Sequence, residues 1–354
     1  MDSAPGERDT APPGQAPRDP ALDDGALAAG LARWLTEHRG LVGAVVTNLS
    51  RPSAGYSSVT IFADVTWSDD DPQRREHLVV RMAPPLAGTF PHYDLVAQGE
   101  AQTAAAGVGV PVADPVVETD TGWLGAPFMV MPRVEGHIVG AMAHRDPWLS
   151  GLSPDGRGRV YDGLLAALAT IHRADTSASS VPRRDNGSEL DFWEEYLAWS
   201  TEGHPVPALV EALGWCRRNR PDHEEGPALL WGDVRFENMV LGDDLAPRAV
   251  LDWDMTSIGA PEHDLAWFTS LDFTMHSLFG RRADGFPDRE ATVNRFEELT
   301  GRTVRDLGWY ETLAMVRSTA IMTRISFLRL KAGEPLMLPI EDNPILDLLT
   351  ERLS

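Results

Sequence analysis

The sequence predicts an α+β fold with two unequal lobes: a small antiparallel β-sheet lobe that contains one helix, and a larger, mostly helical lobe. Three observations predict it. At 354 residues, the chain exceeds the usual size of a single domain. Short apolar runs separated by turn residues fill much of the stretch before residue 134, which is typical of strands. Beyond that point apolar residues mostly recur at helical spacing, and short apolar strands interrupt them.

The first lobe is predicted to cover residues 23–134. Residues 1–22 are rich in Pro, Ala, Gly and Asp and lack periodicity, so we interpret them as a disordered tail. Apolar residues from Leu27 to Leu35 recur at helical spacing and predict a short amphipathic helix. The elements expected after it are strands over 42–49, 59–67 and 77–82, a helix over about 93–106, and two strands around the Thr121–Gly122 turn, the second over 128–133.

The second lobe is predicted to cover residues 135–354. Ser153 and Pro154 form a cap-plus-first-turn signal for a helix that reaches Ile171. Further helices are expected over 192–199, 207–216, 262–269, 289–299 and 303–331. Two short strands interrupt them, over 228–230 and 249–251, and we expect them to deliver an acid each to the same end.

Composition and charge exclude several classes of protein. The net charge of −22 argues against nucleic-acid and anionic-membrane partners, and it is compatible with a cationic small molecule. No segment approaches the roughly 20 apolar residues of a membrane span, and the N-terminus lacks the apolar region of a secretory signal. Cys216 is the sole cysteine, which fits a reducing cytoplasm. Whether the protein is a monomer or a homodimer stays open.

The candidate active site lies in residues 228–268. Asp233 follows the first short strand, Asn238 comes five residues later, and Asp252 ends the second strand. Kinase catalysis needs a carboxylate beside the acceptor hydroxyl and oxygen ligands that hold Mg²⁺ against the phosphates. The pattern therefore predicts Asp233 as the catalytic base and Asn238 and Asp252 as metal ligands. For each alone, a turn-forming or capping role is the alternative.

The motifs WGDVRFEN, VLDWD and GAPEHDLAW resemble those of the aminoglycoside phosphotransferase family, in its actinobacterial branch with Trp in place of His. The resemblance covers roughly residues 40–275. It implies a bilobal protein-kinase-like fold, ATP or GTP as phosphoryl donor, Mg²⁺, and a hydroxyl-bearing small-molecule acceptor. Aminoglycosides, sugars, amino alcohols and hydroxyacyl thioesters are all served by related branches. The family also implies that Asp264 braces the catalytic loop.

The nucleotide side is predicted from kinase geometry. Kinases pair a lysine of the third strand with a helix glutamate, but the sole lysine here, Lys331, lies far outside that lobe. Arg81 occupies the matching strand position, and the resembling branch carries Arg there; Glu100 is its predicted partner. An edge-strand residue with no ligand is the alternative for Arg81.

The remaining nucleotide contacts rest on the resemblance and on the predicted hinge. Ser57 and Ser58 fall where the family has a turn over the phosphates, although a plain hairpin turn is the alternative. Adenine is expected against the hinge from Met131 to Val134, mainly through backbone hydrogen bonds.

Two charged residues close in sequence to Asp233, Asn238 and Asp252 are left with open roles. Arg235 either stabilises charge on the transferred group or pairs with a nearby acid. Asp254 is either a further ligand or support for the metal site, or a solvated loop acid. No glycine-rich P-loop or dinucleotide motif is present.

The leading hypothesis is an ATP-dependent small-molecule O-phosphotransferase, that is, a kinase with an alcohol group as acceptor. The alternative is a non-catalytic, pseudokinase-like protein that binds a nucleotide or metabolite, and the missing lysine motivates it. A metal-dependent hydrolase is disfavoured, because the sequence lacks the histidine or carboxylate clusters of two-metal sites.

Overall fold

A five-stranded antiparallel sheet forms the first part of the computed structural model. Its strands are β1 (Val45–Ser50), β2 (Val59–Thr66), β3 (Arg75–Met82), β4 (Val116–Glu118) and β5 (Phe128–Pro132), in the order β1-β2-β3-β5-β4. The structure describes residues 23–52, 58–68, 75–84, 88–177, 179–224, 226–280, 282–336, 338–340 and 343–353. The predicted tail over 1–22 and the predicted phosphate contact Ser57 lie outside these residues.

Two helices pack on this sheet. Helix α1 (Asp24–Arg39) buries Leu31, Trp34 and Leu35 against the alternate inward-facing residues of the strands. Alternation along β3 supplies the other side of this core, because successive strand side chains point to opposite faces. Helix α2 (Leu95–Gly107) begins at Asp94, whose side chain caps the first turn. The sheet and its helix match the prediction for this region.

The rest of the described chain is mainly helical. Its helices are α3 (Pro147–Gly151), α4 (Pro154–Ile171), α5 (Asn186–Ser200), α6 (Pro207–Arg218), α7 (Glu262–Phe279), α8 (Arg289–Thr300), α9 (Leu307–Lys331) and α10 (Pro344–Leu353). Helices α7 and α9 pack against each other at the centre of a large apolar core. Helix α7 extends ten residues beyond the predicted end at Thr269, because its second half is partly exposed and lacks the apolar periodicity used for the prediction.

The short strands pair with partners that the sequence analysis did not name. Strand β6 (Ala228–Leu230) pairs with β9 (Ser257–Gly259), while β7 (Met239–Leu241) pairs with β8 (Pro247–Val250). The two predicted strands therefore belong to separate two-stranded sheets. The hairpin β7–β8 is closed by a turn in which the Gly242 amide donates to the carbonyl of Ala246. Met239–Leu241 was not identified as a strand from the sequence, although it is the neighbour of β8 along the chain.

Among the described residues, no helix combines the length and apolar character needed to cross a lipid bilayer.

Candidate active site

The catalytic loop follows β6 through a tight backbone approach. Gly232 has a φ of +92°, and a Cβ there would lie 2.3 Å from the carbonyl oxygen of Met255. Only glycine fits such a contact in this conformation. Trp231, which precedes it, is fully buried and donates from Nε1 to the carbonyl of Leu251 at 2.8 Å. Trp231 thus packs beneath the loop and connects it to the segment that carries Asp252.

Asp264 holds the start of this loop from the first turn of α7. Its Oδ2 accepts from the Trp231 amide at 2.9 Å and its Oδ1 from the Gly232 amide at 2.8 Å. The same carboxylate lies 2.9 Å from Nε2 of His172, and both side chains are almost completely buried. A buried carboxylate with three partners fixes the loop backbone, since losing any partner would leave a buried polar group unsatisfied.

Asp233 is held by two side-chain donors. Asn238 Nδ2 donates to its Oδ2 at 2.7 Å, and Trp267 Nε1 donates to its Oδ1 at 2.9 Å. Burial raises the pKa of Asp233 to about 6; Arg235 opposes that rise in pKa, and the nearby Asp252 adds to it. The side chain remains 17% exposed. A carboxylate held in this way, with a pKa close to neutral, suits a proton acceptor.

The backbone brings Asn238 next to Asp252. Met239 pairs with Val250 in the β7–β8 hairpin, and the Leu251 amide donates to the carbonyl of Asn238 at 2.8 Å. Asp252 then leaves the strand with a φ of +55°, a left-handed conformation that costs energy for a residue other than glycine. The three predicted residues are therefore brought together at one place, although their strands lie in different sheets.

The donor set at this point suits a hard cation. The Nδ2 of Asn238 is committed to Asp233, which turns its Oδ1 the other way, and Asp252 is 31% exposed. Amide and carboxylate oxygens are the ligands that Mg²⁺ takes, alongside phosphate and water. Within the described residues, no group of three or more His, Cys, Asp or Glu forms a self-contained metal site.

Arg81, on β3 of the sheet lobe, contacts Asp252 and its neighbour Asp254 in the second lobe. Its guanidinium donates to Ser58 Oγ at 2.9 and 3.1 Å, to Asp254 Oδ2 at 3.1 Å and to Asp252 Oδ1 at 3.5 Å. The side chain is 14% exposed, and that of Asp254 is 3% exposed. Strand β3 lies between β2 and β5, so Arg81 is not on an edge strand, and Asp254 is not a solvated acid.

The predicted pair between Arg81 and Glu100 is wrong. Glu100 Oε2 accepts from the Ser180 amide at 2.6 Å, and this hydrogen bond lowers the pKa of its carboxyl. The helix explains the error: Gln98 is one of the buried residues of α2, at 3% exposure, whereas Glu100 is not buried and lies about 200° further around the axis. Glu100 therefore contacts the segment that follows α4, away from the cluster around Arg81.

The other predicted residues are placed as follows. Arg235 donates from Nε to Glu237 at 2.6 Å, and its Nη1 lies 4.0 Å from Asp233 Oδ2, so it does pair with neighbouring acids. Met131, on β5, is buried, and Val134 packs beside it.

Sequence reasoning missed two side chains of the site. Trp267, in the HDLAW motif, was not singled out, although a tryptophan can donate a hydrogen bond to a carboxylate. The other is His172, at the end of α4, whose partner Asp264 is 92 residues away. No local pattern identifies such a pair.

Three comparisons with known proteins agree with this geometry. Residues 49–299 match the model of the phosphotransferase enzyme family. A Ralstonia eutropha protein, provisionally assigned as an aminoglycoside phosphotransferase, is 21% identical with a TM-score of 0.68 and covers 92% of this chain and 97% of its own. The GDP and kanamycin complex of APH(2″)-IIIa is 14% identical with a TM-score of 0.56, covering 91% and 98%.

A curated relative carries a different name. Acyl-CoA dehydrogenase family member 11 of Pongo abelii is 26% identical over 229 residues, which is 62% of this chain but 28% of that protein. The chain thus spans about a quarter of the length of the first curated relatives that it matches. Since the family model matches well over half of the sequence, and the solved neighbours share its bilobal protein-kinase-like fold, this chain belongs to the phosphotransferase enzyme family.

Proposed function

We propose that this protein transfers the γ-phosphoryl group of ATP or GTP to a hydroxyl of a small molecule. The observation that carries the proposal is the arrangement of Asp233, bonded by Asn238 and Trp267, beside Asp252. The structural neighbours support the nucleotide, since two of them are complexes with GDP. Family membership supports phosphoryl transfer, whichever alcohol accepts the group.

Asp233 orients the acceptor hydroxyl by accepting its hydrogen bond. As the hydroxyl oxygen bonds to the γ-phosphorus, the bond from that phosphorus to the bridging oxygen breaks, and the nucleoside diphosphate leaves with the electron pair. The hydroxyl proton passes to the Asp233 carboxylate. Because Asn238 and Trp267 hold both carboxylate oxygens, little reorientation is needed at that moment.

The other polar residues act on the phosphates and the nucleotide. Asn238 and Asp252 would hold Mg²⁺, which neutralises charge on the phosphates when it is bound. Arg81 would contact the phosphates, together with Ser58 and Ser57. Arg235 lies next to Asp233 and would stabilise charge on the transferred group. Adenine would lie against the segment from Met131 to Val134, through backbone hydrogen bonds.

The test is release of ADP or GDP in the presence of Mg²⁺ across a panel of alcohols, with wild type and Asp233→Asn. We expect Asp233→Asn to lower kcat by roughly a thousandfold, since it removes the base but keeps the shape. Nucleotide affinity, measured by calorimetry, should stay within about twofold. Asp243→Asn is the matched control, because Asp243 is 98% exposed in the hairpin turn.

The outcomes separate the two hypotheses. Full activity in Asp233→Asn would remove the assignment of the base. Tight nucleotide binding by wild type, with no release of diphosphate for any alcohol in the panel, would favour the non-catalytic binding protein instead.

A further inference from the structure

An apolar cavity of about 130 Å³ lies against the catalytic loop. It is bounded by residues 140–144, by 234–237 of the loop, by one face of α7 and by residues 282–286. Its apolar wall consists of Met142, Phe236, Phe268, Leu271, Met275 and Phe286. Three of these rings pack on one another, with Phe236 centred 5.1 Å from Phe286 and 5.7 Å from Phe268. The wall is thus preformed, as small-molecule sites usually are.

The cavity adjoins the candidate active site at Arg235. Arg235 lines it and spans from Glu237, on the cavity side, to within 4.0 Å of the Asp233 carboxylate. A larger and more open cavity of about 490 Å³ lies along α2, between Glu100 and Ser179. None of the residues that line that larger cavity belongs to the catalytic loop, so it is not the place for the acceptor.

The charges in the wall argue against a polycationic occupant. The two acids that line the cavity are Asp272 and Glu237, and each already has an arginine partner. Arg282 donates to Asp272 Oδ2 at 2.5 and 3.1 Å, and Arg235 donates to Glu237. A polyamine would have to displace these arginines to find a counter-charge. An apolar group needs no such exchange, and its burial is favourable by itself.

We propose that this cavity binds the apolar part of the acceptor, so that the substrate is an alcohol with a hydrocarbon chain or ring of about six carbons beside the reacting hydroxyl. The size follows from the volume, because an apolar cavity of about 150 Å³ accommodates a benzene ring. This inference rests on the proposed function and narrows its substrate class. Met275 and Leu271, on α7, would set the length of chain that fits.

The test compares two opposite changes at one wall residue. Met275→Trp fills the cavity and Met275→Ala enlarges it, while Phe273→Trp is the matched control, since Phe273 is 41% exposed on the same helix and does not line the cavity. The probes are primary alcohols with four, six, eight and ten carbons, and glycerol as the polar reference. KM for each is measured from diphosphate release, and alcohol binding from saturation-transfer NMR with Mg-ADP present.

We expect KM in the wild type to fall with chain length up to about six carbons. Met275→Trp should raise KM for hexanol at least tenfold, Met275→Ala should move the optimum to eight or ten carbons, and Phe273→Trp should leave the profile within twofold. A misfolded enzyme would lose activity with every alcohol and would not prefer a longer one. A shift of the optimum in Met275→Ala therefore cannot come from misfolding.

Two results would overturn the inference in distinguishable ways. If glycerol is used as well as hexanol, or if both Met275 variants keep the wild-type profile, the cavity is not the acceptor site and the proposed function stands. If the wild type phosphorylates no alcohol and NMR shows none bound, the proposed function fails together with the inference.

Discussion

The catalytic side and the phosphate side of the candidate site are held together in different ways. Around Asp233, the bonds that Asn238 and Trp267 donate to it, and those that Asp264 accepts from the loop backbone, join residues at most 34 positions apart. The contact between Asp264 and His172, 92 positions apart, is longer in sequence but lies behind the loop. Arg81 instead reaches acids 171 and 173 positions away in the other lobe. One half of the site is built locally, and the other is built by contact between lobes.

This difference indicates which half has to rearrange. Both oxygens of the Asp233 carboxylate are already held, so under the proposed function the catalytic side needs no new geometry. The guanidinium of Arg81 donates hydrogen bonds to Ser58, Asp252 and Asp254, and phosphates would have to replace at least some of these contacts. Burial lowers the pKa of Arg81, but Asp254 and Asp252 raise it by more, so it stays charged for that exchange.

The largest effect is expected at Asp264, on the catalytic side of the site. Asp264→Asn keeps one oxygen but turns an NH₂ group toward a backbone amide, so either Trp231 or Gly232 loses its acceptor. We expect a loss of about 3 kcal/mol in the free energy of unfolding, since a buried donor is left unsatisfied. Urea unfolding followed by tryptophan fluorescence measures it.

The matched control for Asp264→Asn is the same substitution at Asp288. Asp288 caps α8 by accepting from the Ala291 amide, and asparagine caps a helix equally well. We expect that variant to stay within about 0.5 kcal/mol of wild type. Equal losses in the two variants would show that Asp264 is no more than an ordinary helix-start residue.

The same division explains how much could be predicted from the sequence. The sheet, its helix and the placement of Asp233, Asn238 and Asp252 follow from local apolar runs and short spacings. Those signals are local because the contacts are local. The partners of β6 and β8 could not be predicted, since apolar runs give the strands but not their partners.

The phosphate side could not be predicted in the same way. The position of Arg81 was inferred from its strand, but its partners come from the far lobe, and a general kinase pattern gave Glu100 in their place. The choice between Gln98 and Glu100 as the inward residue depends on the rotation of α2, which a small apolar helix encodes weakly.

A second, smaller effect is expected in the pH dependence of stability, through His263 on the catalytic side. Burial lowers the pKa of His263 to about 4, with Arg317 acting in the same direction and Glu189 opposing it, whereas the unfolded chain has an ordinary value near 6.5. Below pH 6.5 the unfolded state binds the proton first, so the stability present at neutral pH is lost as pH falls toward 4. Between pH 7 and pH 5 the contribution of His263 amounts to roughly 2 kcal/mol.

A His263→Gln variant isolates that contribution. Glutamine can still donate to Asn186 Oδ1, the partner of His263 Nε2, but it does not titrate. The drop in the free energy of unfolding from pH 7 to pH 5 should be smaller in the variant than in wild type by that amount. Identical drops would mean that His263 is not held neutral by the fold.

The smallest effect is expected for nucleotide affinity when Arg81 is replaced by lysine, a conservative substitution that tests the contact between the lobes. Arg81→Lys keeps the charge and supplies the residue that kinases usually carry, but an ammonium cannot reproduce the paired donors toward Ser58 and the two acids. We expect nucleotide affinity to fall roughly tenfold, equal to about 1.4 kcal/mol, with kcat changed by less. Arg75→Lys, at the exposed start of the same strand, should leave both unchanged. A tighter nucleotide complex in Arg81→Lys would instead show that the salt bridges to Asp252 and Asp254 oppose binding, so that the contact between lobes inhibits the enzyme in the absence of nucleotide.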